Sequence, residues 1–371
     1  MREGCTAVSW ICKATHMEGH VPVILTIGSA PVWPCRVKAI LIRRIRYASP
    51  SMTNGIQSNC ANPVPMVDSF GRPVSSLRLS VTQRCDLACD HCHHEGQTPS
   101  VNEMTPLEIE SLVKVASSLG VRSVKITGGE PLMRDDIVDI IARVSPLVKE
   151  VSLTTNGSDL DIRSEELRRA GLARVNVSLH TLDANRYHRL CGVDQSARVL
   201  KGIIAAVEAG LNPVKVNMVV FKGENDGEIH EMMDFCSSVR ASLQLIEYET
   251  DRESLNGGSF AKRFYSLAGT ENMLASQSVH VAVNELHRRK RYKIPVKDGF
   301  VNVEVVRPMH NTEFCSHCTR LRMSSDGLLK PCLLDQAGHV DVLTPLRSGA
   351  SDRELRELFL EAVKNRKPYW S

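Results

Sequence analysis

No stretch of the 371-residue sequence reaches the ~18 consecutive apolar residues that a membrane-crossing helix needs. The run Val21–Ile27 is short, contains Pro22 and lacks a cationic leader, which makes it a poor signal peptide. The default expectation is a cytoplasmic protein that engages no membrane. An excess of charge of one sign is also lacking, because the formal net charge is only +4. That falls short of a nucleic-acid signature, which needs basic residues clustered on one face, but it is compatible with a small anionic substrate. Hydrophobic residues make up 42% of the chain and charged residues 24%, so wholesale disorder is not expected. The length fits one large domain or two ordinary ones.

Cysteine, by contrast, is abundant: there are twelve. Six fall into two tight groups, Cys85/Cys89/Cys92 and Cys315/Cys318/Cys332, and such groups in an intracellular enzyme point to metal rather than to a disulfide framework. The others, Cys5, Cys12, Cys35, Cys60, Cys191 and Cys236, are scattered and read as small buried or incidental thiols.

Residues 1–65 carry four unpatterned cysteines, several prolines and the basic stretch Arg36–Arg46, with no clean helical or strand period. They read as a poorly ordered extension, or as sequence upstream of a start at Met66, in preference to an arm for an acidic partner. Patterned sequence begins at Phe70. Strands are expected at Leu77–Val81, Val121–Thr127, Val151–Thr155, Val175–Leu179, Val214–Val220 and Leu243–Glu247, each short, aliphatic and of the kind buried on both faces. Helices fall between them. Thr105-Pro-Leu-Glu108 combines a capping box with proline at the first helical position, Leu107, Leu112, Val113, Ala116 and Leu119 follow at helical spacing, and Gly120 closes the helix. Asp135 or Asp136 can cap Ile137–Leu147, Ser164 the next short helix and Asp226 a helix over Glu228–Ser238, while Ala197–Ala209 ends at Gly210. Six βα units imply a parallel sheet, open or as a partial barrel, with ligands at the C-terminal strand ends. Residues 66–250 form this unit. Residues 251–371 read as an appendage with a strand at Val301–Val306, the second cysteine group, and a helix at Asp352–Lys364 capped by Ser351-x-x-Glu354 with Leu355, Leu358, Phe359 and Ala362 on one face.

Arg84-Cys-Asp-Leu-Ala-Cys-Asp-His-Cys92 directly follows the first strand. Three thiolates on one loop converge on one centre. Structural zinc takes four protein ligands, and His91, His93 or His94 could complete a Cys3His site. A [4Fe–4S] cluster held by only three cysteines keeps one iron open to a ligand. Thr127-Gly-Gly-Glu-Pro131 ends the second strand, where paired glycines allow close backbone approach. Thr154-Thr-Asn-Gly157 and Asn176-Val-Ser-Leu179 bring polar groups to the next two strand ends. In the second group, Cys315-Ser-His-Cys318 and Cys332 could hold a zinc knuckle with His317, but Arg320 and Arg322 lie between the ligands and suit anion capture. Lys125 and Lys215 on inner strands are costly unless paired or working, and with the arginines they suggest a polyanionic substrate.

Cys-x3-Cys-x2-Cys after the first strand of a βα repeat resembles the radical S-adenosylmethionine (radical SAM) superfamily. Ser76–Cys85, Lys125–Met133 and Cys318-Thr-Arg-Leu-Arg322, with a third cysteine at Cys332, resemble within it the GTP 3′,8-cyclase family of molybdenum-cofactor biosynthesis. The resemblance runs from about Phe70 to the C-terminus, roughly four-fifths of the chain. It implies an α/β fold, a partial (β/α)6 barrel whose open side is covered by the C-terminal cluster-binding extension. It also implies two [4Fe–4S] clusters, the first on Cys85, Cys89 and Cys92, the second on Cys315, Cys318 and Cys332. S-adenosylmethionine would meet His91 at the adenine, Gly129 at the methionine part and Ser178 at the ribose. GTP would meet Arg78, Lys125, Thr154, Lys215, Arg320, Leu321 and Arg322. The implied reaction starts with abstraction of the ribose 3′-hydrogen by a deoxyadenosyl radical and joins C3′ to C8 of guanine, so that no side chain acts as acid or base. The implied partners are an electron donor and cyclic pyranopterin monophosphate synthase, with a homodimer among the expectations. Gln244, His180 and Glu249 stand where bacterial relatives have arginine, aspartate and methionine, and the sequence ends Lys367-Pro-Tyr-Trp-Ser371 without their Gly-Gly tail. These departures suggest an archaeal-type branch.

Overall fold

In this computed structural model, the described residues are 65–368 apart from 98–99, 101, 257, 285–287, 310 and 336. The reading of residues 1–65 therefore lies outside the described residues, Pro65 excepted. Six strands lie within two residues of their expected bounds: β1 (Ser76–Ser80), β2 (Ser123–Thr127), β3 (Glu150–Thr155), β4 (Arg174–Ser178), β5 (Val214–Val220) and β6 (Ser242–Glu247). They pair in sequence order, all parallel.

The region after residue 250 joins the same sheet from both sides. It supplies β7 (His280–Val283), β8 (Lys290–Val296), β9 (Gly299–Val306), β10 (Arg320–Met323), β11 (Leu328–Lys330) and β12 (Val340–Asp341). β9 runs parallel to β6 at one edge, and β10 runs parallel to β1 at the other. Antiparallel strands extend each flank, giving the order β12-β11-β10-β1-β2-β3-β4-β5-β6-β9-β8-β7. Among the described residues β7 and β12 do not pair, so the barrel stays open.

The central strands are not apolar on both faces. Leu77, Leu79, Val124, Ile126, Leu153, Val175, Val177, Val216, Leu243 and Leu245 are fully buried and share one core with helix residues such as Leu112, Ile140, Leu167 and Ile203. The alternate residues are polar and form rows across the lumen. Arg78 pairs with Lys125 and Lys125 with Ser152, Thr154 with Asn176 and Asn176 with Lys215, and Asn217 with Gln244 and Gln244 with Glu304. Period-two alternation thus turns one face to the helices and keeps the other for a ligand.

Helix α1 (Pro106–Ser118) has the expected capping box and N-terminal proline, although Leu107 is 62% exposed and stands outside the buried face. α2 (Ile137–Val144) has Asp136 at its N-cap position without a capping bond, because Arg134 takes the Asp136 carboxylate at 2.7 and 2.6 Å. α3 (Leu160–Arg169) begins before Ser164, whose hydroxyl is buried inside the helix and donates to the Leu160 carbonyl, so Ser164 is not the cap. A helix not foreseen, α4 (Ala184–Cys191), is capped by Asp183 and closed by Gly192 at φ +80°. α5 (Ser196–Glu208) matches expectation to one residue. α6 (Ile229–Ser238) starts after a 3₁₀ turn, and Asp226 accepts from Gly223 N–H instead of capping it. The helix Asp352–Lys364 and its Ser351/Glu354 capping box stand as expected. Among the described residues no helix is long and apolar enough to cross a membrane.

Candidate active site

The loop after β1 carries the first cysteine group and is tied to the end of β2 by backbone. Gly129 N–H donates to Thr82 O at 2.8 Å and Glu130 N–H to Arg84 O at 2.7 Å. A Cβ on Gly128 would stand 2.6 Å from Thr82 O, and one on Gly129 would be 2.6 Å from Gln83 O. The paired glycines are thus required first by the cysteine loop itself. A cavity of about 250 Å³ is lined by Cys85, Cys89, Cys92, His91, Gly128, Gly129, Thr154, Ser178 and His180. Burial pushes the Cys85 thiol up to about 11, and the hydrogen bond that the Cys89 thiol donates to Cys191, together with burial, pushes Cys89 up as well. These thiols are free, and such a donor set is released from its protons by binding iron.

His91 belongs to a hydrogen-bonded chain. Val219 N–H donates to His180 Nδ1 at 3.1 Å, which leaves the proton on His180 Nε2. That nitrogen lies 3.1 Å from His91 Nε2, and His91 Nδ1 lies 3.1 Å from Asp90 Oδ1. Burial and the neighbouring His91 hold His180 well below the usual histidine range, consistent with a neutral ring. His91 also packs edge-on against Phe221, with centroids 5.1 Å apart. The ring at position 91 is thereby fixed in orientation at the cavity wall.

A second cavity, about 570 Å³, fills the lumen and shares Arg78, Ile246, Glu249 and Leu333 with the first. Its lining includes Arg78, Lys125, Lys215, Arg289, Arg320 and Arg322, together with Cys315, Cys318 and Cys332. Arg322, Arg78 and Lys125 are neighbours in register on three adjacent parallel strands. Like charges placed so repel, and burial adds to the cost. Burial lowers Arg78 to about 10, and it lowers Lys125 well below 10.5 with Arg78, Arg174, Lys215 and Arg320 all acting in the same direction. Lys215 is answered by Glu304 at 2.8 Å. After burial, the largest influences on Lys125 are four cations. Arg78 Nε, Arg289 Nε and Thr154 Oγ1 are buried without a hydrogen-bond partner. Unmatched buried donors beside concentrated positive charge are the chemistry of an anion site.

The two cysteine groups are joined at this lumen. Glu95, three residues past Cys92, accepts from Arg322 at 2.6 Å and from Thr127 Oγ1 at 2.8 Å, and lies 3.6 Å from Arg78. Burial opposes its ionisation, but Arg78 and Arg322 hold its carboxyl below the usual range. His94 and Glu95 reach this position through left-handed backbone, φ +47° and +51°, a strained arrangement for residues with side chains. At the following Gly96 a Cβ would meet Leu333 O at 2.6 Å, so the segment carrying Cys332 closes directly on the first loop. Lys330 Nζ donates to Gly96 O. Burial opposes ionisation of Cys318, but Arg320 and Arg366 draw its thiol down to about 7. Among the described residues no three His, Cys, Asp or Glu side chains converge on a single-ion position.

Each residue expected at the site lines one of these cavities except Leu321. Strand alternation turns Leu321 into the core, where it is 0% exposed, so its side chain does not face the lumen. Gln244 and Glu249 line the large cavity, and His180 the small one. Sequence reasoning missed Glu95, Arg174, Arg289 and Glu304. The polar period of β9 (Asn302, Glu304) is a signal for Glu304, whereas nothing local marks Glu95.

The fold and the cysteine pocket define a radical SAM enzyme. The profile of the Radical SAM superfamily matches residues 79–236, and that of Molybdenum Cofactor Synthesis C matches residues 241–371. A solved structure of Streptococcus suis SuiB bound to S-adenosylmethionine is similar in fold, with a TM-score of 0.53 at 22% identity over 70% of this chain and 60% of that one. Curated relatives narrow the assignment. Proteins named probable GTP 3′,8-cyclase from Pyrococcus horikoshii and Thermococcus kodakarensis are 50% and 51% identical over 82% of this chain and 98% and 99% of their own lengths. The chain belongs to the GTP 3′,8-cyclase family.

Proposed function

We propose that the chain converts GTP to (8S)-3′,8-cyclo-7,8-dihydroguanosine 5′-triphosphate, a lyase reaction and the first step of molybdopterin biosynthesis. One observation carries this reading: two adjoining cavities, one lined by each cysteine group, share Arg78, and around it lie buried cations with unpartnered donor atoms. Radical SAM family membership brings with it a [4Fe–4S] cluster and S-adenosylmethionine, which together supply a reducing electron and a hydrogen-abstracting radical. Cys85, Cys89 and Cys92 are the residues to hold that cluster. His91, held by His180, together with Gly129 and Ser178, would bind S-adenosylmethionine. Cys315, Cys318 and Cys332 would hold a second cluster.

Arg78, Lys125, Arg320 and Arg322 neutralise and orient the triphosphate, with Thr154 offering its unpartnered hydroxyl and Lys215 its ammonium shared with Glu304. A substrate phosphate relieves the repulsion among these cations, so the cost of burying them is offset on binding. An external reductant is the electron donor. A homodimer and hand-over of the product to cyclic pyranopterin monophosphate synthase complete the proposal.

The test is anaerobic. Purified full-length chain with dithionite, S-adenosylmethionine and GTP is expected to contain about eight irons with sulfide and to yield the cyclised nucleotide by chromatography. Zinc in place of iron, or 5′-deoxyadenosine formed with GTP left intact, would overturn the reading.

A further inference from the structure

A buried ionic group behind the second cysteine turn has no part in the chemistry described so far. Asp68 sits just ahead of β1 with its side chain 0% exposed, between the guanidinium groups of Arg72, 7% exposed, and Arg366, 1% exposed. Asp68 Oδ2 accepts from Arg72 Nε at 2.7 Å and lies 3.0 Å from Arg366 Nη1. Asp68 Oδ1 is held by the backbone N–H groups of Phe70 at 3.0 Å and Arg72 at 2.9 Å. The carboxylate is therefore saturated and aims both arginines the same way.

Both arginines reach the cysteine turn. Arg72 Nη1 donates to Cys315 O at 2.9 Å, and Arg366 Nη2 donates to Cys318 O. The next carbonyl, Thr319 O, accepts from Ser75 and Ser76 N–H at 3.1 and 3.2 Å, so the turn is gripped along its length. Two arginines against one aspartate leave an excess positive charge. Arg72 Nη2 is buried with no partner, and Arg72 and Arg366 both line the cavity that Cys315, Cys318 and Cys332 line. Complete satisfaction of Asp68 beside one orphaned guanidinium N–H is what a donor reserved for an anionic group would leave.

We infer that Asp68, Arg72 and Arg366 form a clamp that positions the Cys315–Cys318 turn and holds positive charge and a free N–H against the second cluster, raising its reduction potential. The inference rests on the reading that those cysteines bind a cluster. Charge and hydrogen bonds at the sulfurs are established determinants of such potentials, and outer partners orient the ligands themselves. Arg72 and Arg366 are positioning residues here.

The test uses the full chain in a Cys85→Ser, Cys89→Ser, Cys92→Ser background, so that only the second cluster remains. That parent is expected to retain about four irons. No iron in the parent would sink the second-cluster reading and the clamp with it. Arg72→Gln is expected to shift the midpoint potential, followed by electron paramagnetic resonance during redox titration, to a more negative value. An unchanged midpoint with the cluster present overturns the clamp. Arg72→Lys keeps the charge but not the fork. It is expected to lower the midpoint less than Arg72→Gln does and to lose iron to a chelator faster, at an unchanged melting temperature. Chelator loss at the parent rate overturns the positioning role, and this variant decides the matter if Arg72→Gln does not fold.

Discussion

Glu95 and Arg322 meet at 2.6 Å although 227 residues of sequence separate them. One belongs to the loop of the first cysteine group and the other to the second motif, and Arg78 on the first strand joins them at 3.6 Å. Glu95→Gln is expected to lower kcat/KM for GTP about 10- to 100-fold, the value of a charge-assisted buried hydrogen bond. Iron content is expected to stay unchanged, which separates substrate positioning from cluster loss. Steady-state kinetics with parallel iron analysis checks both.

Cys318→Ser is expected to retain S-adenosylmethionine cleavage and lose GTP cyclisation. Cys318 borders the large cavity, away from the small one that the first cysteine group lines. Chromatography of both products from the same reaction reads the outcome; normal cyclisation would falsify it.

Lys125 gives a pH dependence. Its folded pKa lies well below the ordinary 10.5, first through burial and then through Arg78 and Arg174. As pH falls below 10.5 the unfolded chain takes up the proton before the folded one does, so stability of the ligand-free protein declines toward the folded pKa. Triphosphate favours the charged lysine, so GTP binding is expected to take up protons at pH values above the depressed folded pKa of Lys125 and below 10.5. Calorimetry in buffers of different ionisation enthalpy measures this. In Lys125→Met the uptake is expected to vanish, affinity to fall about 10- to 100-fold, and the ligand-free melting temperature to rise.

Glu130 acts with the opposite sign. Burial pushes its carboxyl up to about 7, against donors from Asn156, Leu132 and Thr155. Its contribution to stability is full below 4.5 and is lost as pH rises through about 7. A shift of that size is worth about 3 kcal/mol. Denaturation of Glu130→Gln across this window is expected to show a flatter pH profile than the parent.

Residues 1–65 are expected to be dispensable for cyclase activity. Met66 is buried, and its N–H bonds Leu119 O at 3.2 Å, so a chain starting there retains the contacts that follow. Loss of activity on starting at Met66 would refute this.

The sequence made the six central strands legible because each is a short aliphatic run between turn signals. It concealed their inner face. Ser76-Leu-Arg-Leu-Ser80 and Ser123-Val-Lys-Ile-Thr127 alternate plainly, but their aliphatic content reads as burial on both sides. Helix α4 escaped notice because Tyr187, Leu190 and Cys191 are its only buried residues among eight. Ser164 was a plausible cap by type, yet a hydroxyl four residues after Leu160 serves the helix interior equally well. The cysteine groups and cationic residues were legible from spacing. The ties of Glu95, Arg72 and Arg366 were not, because each depends on partners brought close only by the sheet order.

That sheet order has a consequence for biosynthesis. The six central strands leave the ribosome with both outer edges bare, since their flanking partners, β9 and β10, lie in the last third of the chain. Arg322 cannot take its place beside Arg78 until nearly all of the polypeptide has been made. The first cysteine loop exists early, but the chamber around it is finished last. Delivery of iron and sulfide to that loop can therefore precede the point at which the chamber closes over it.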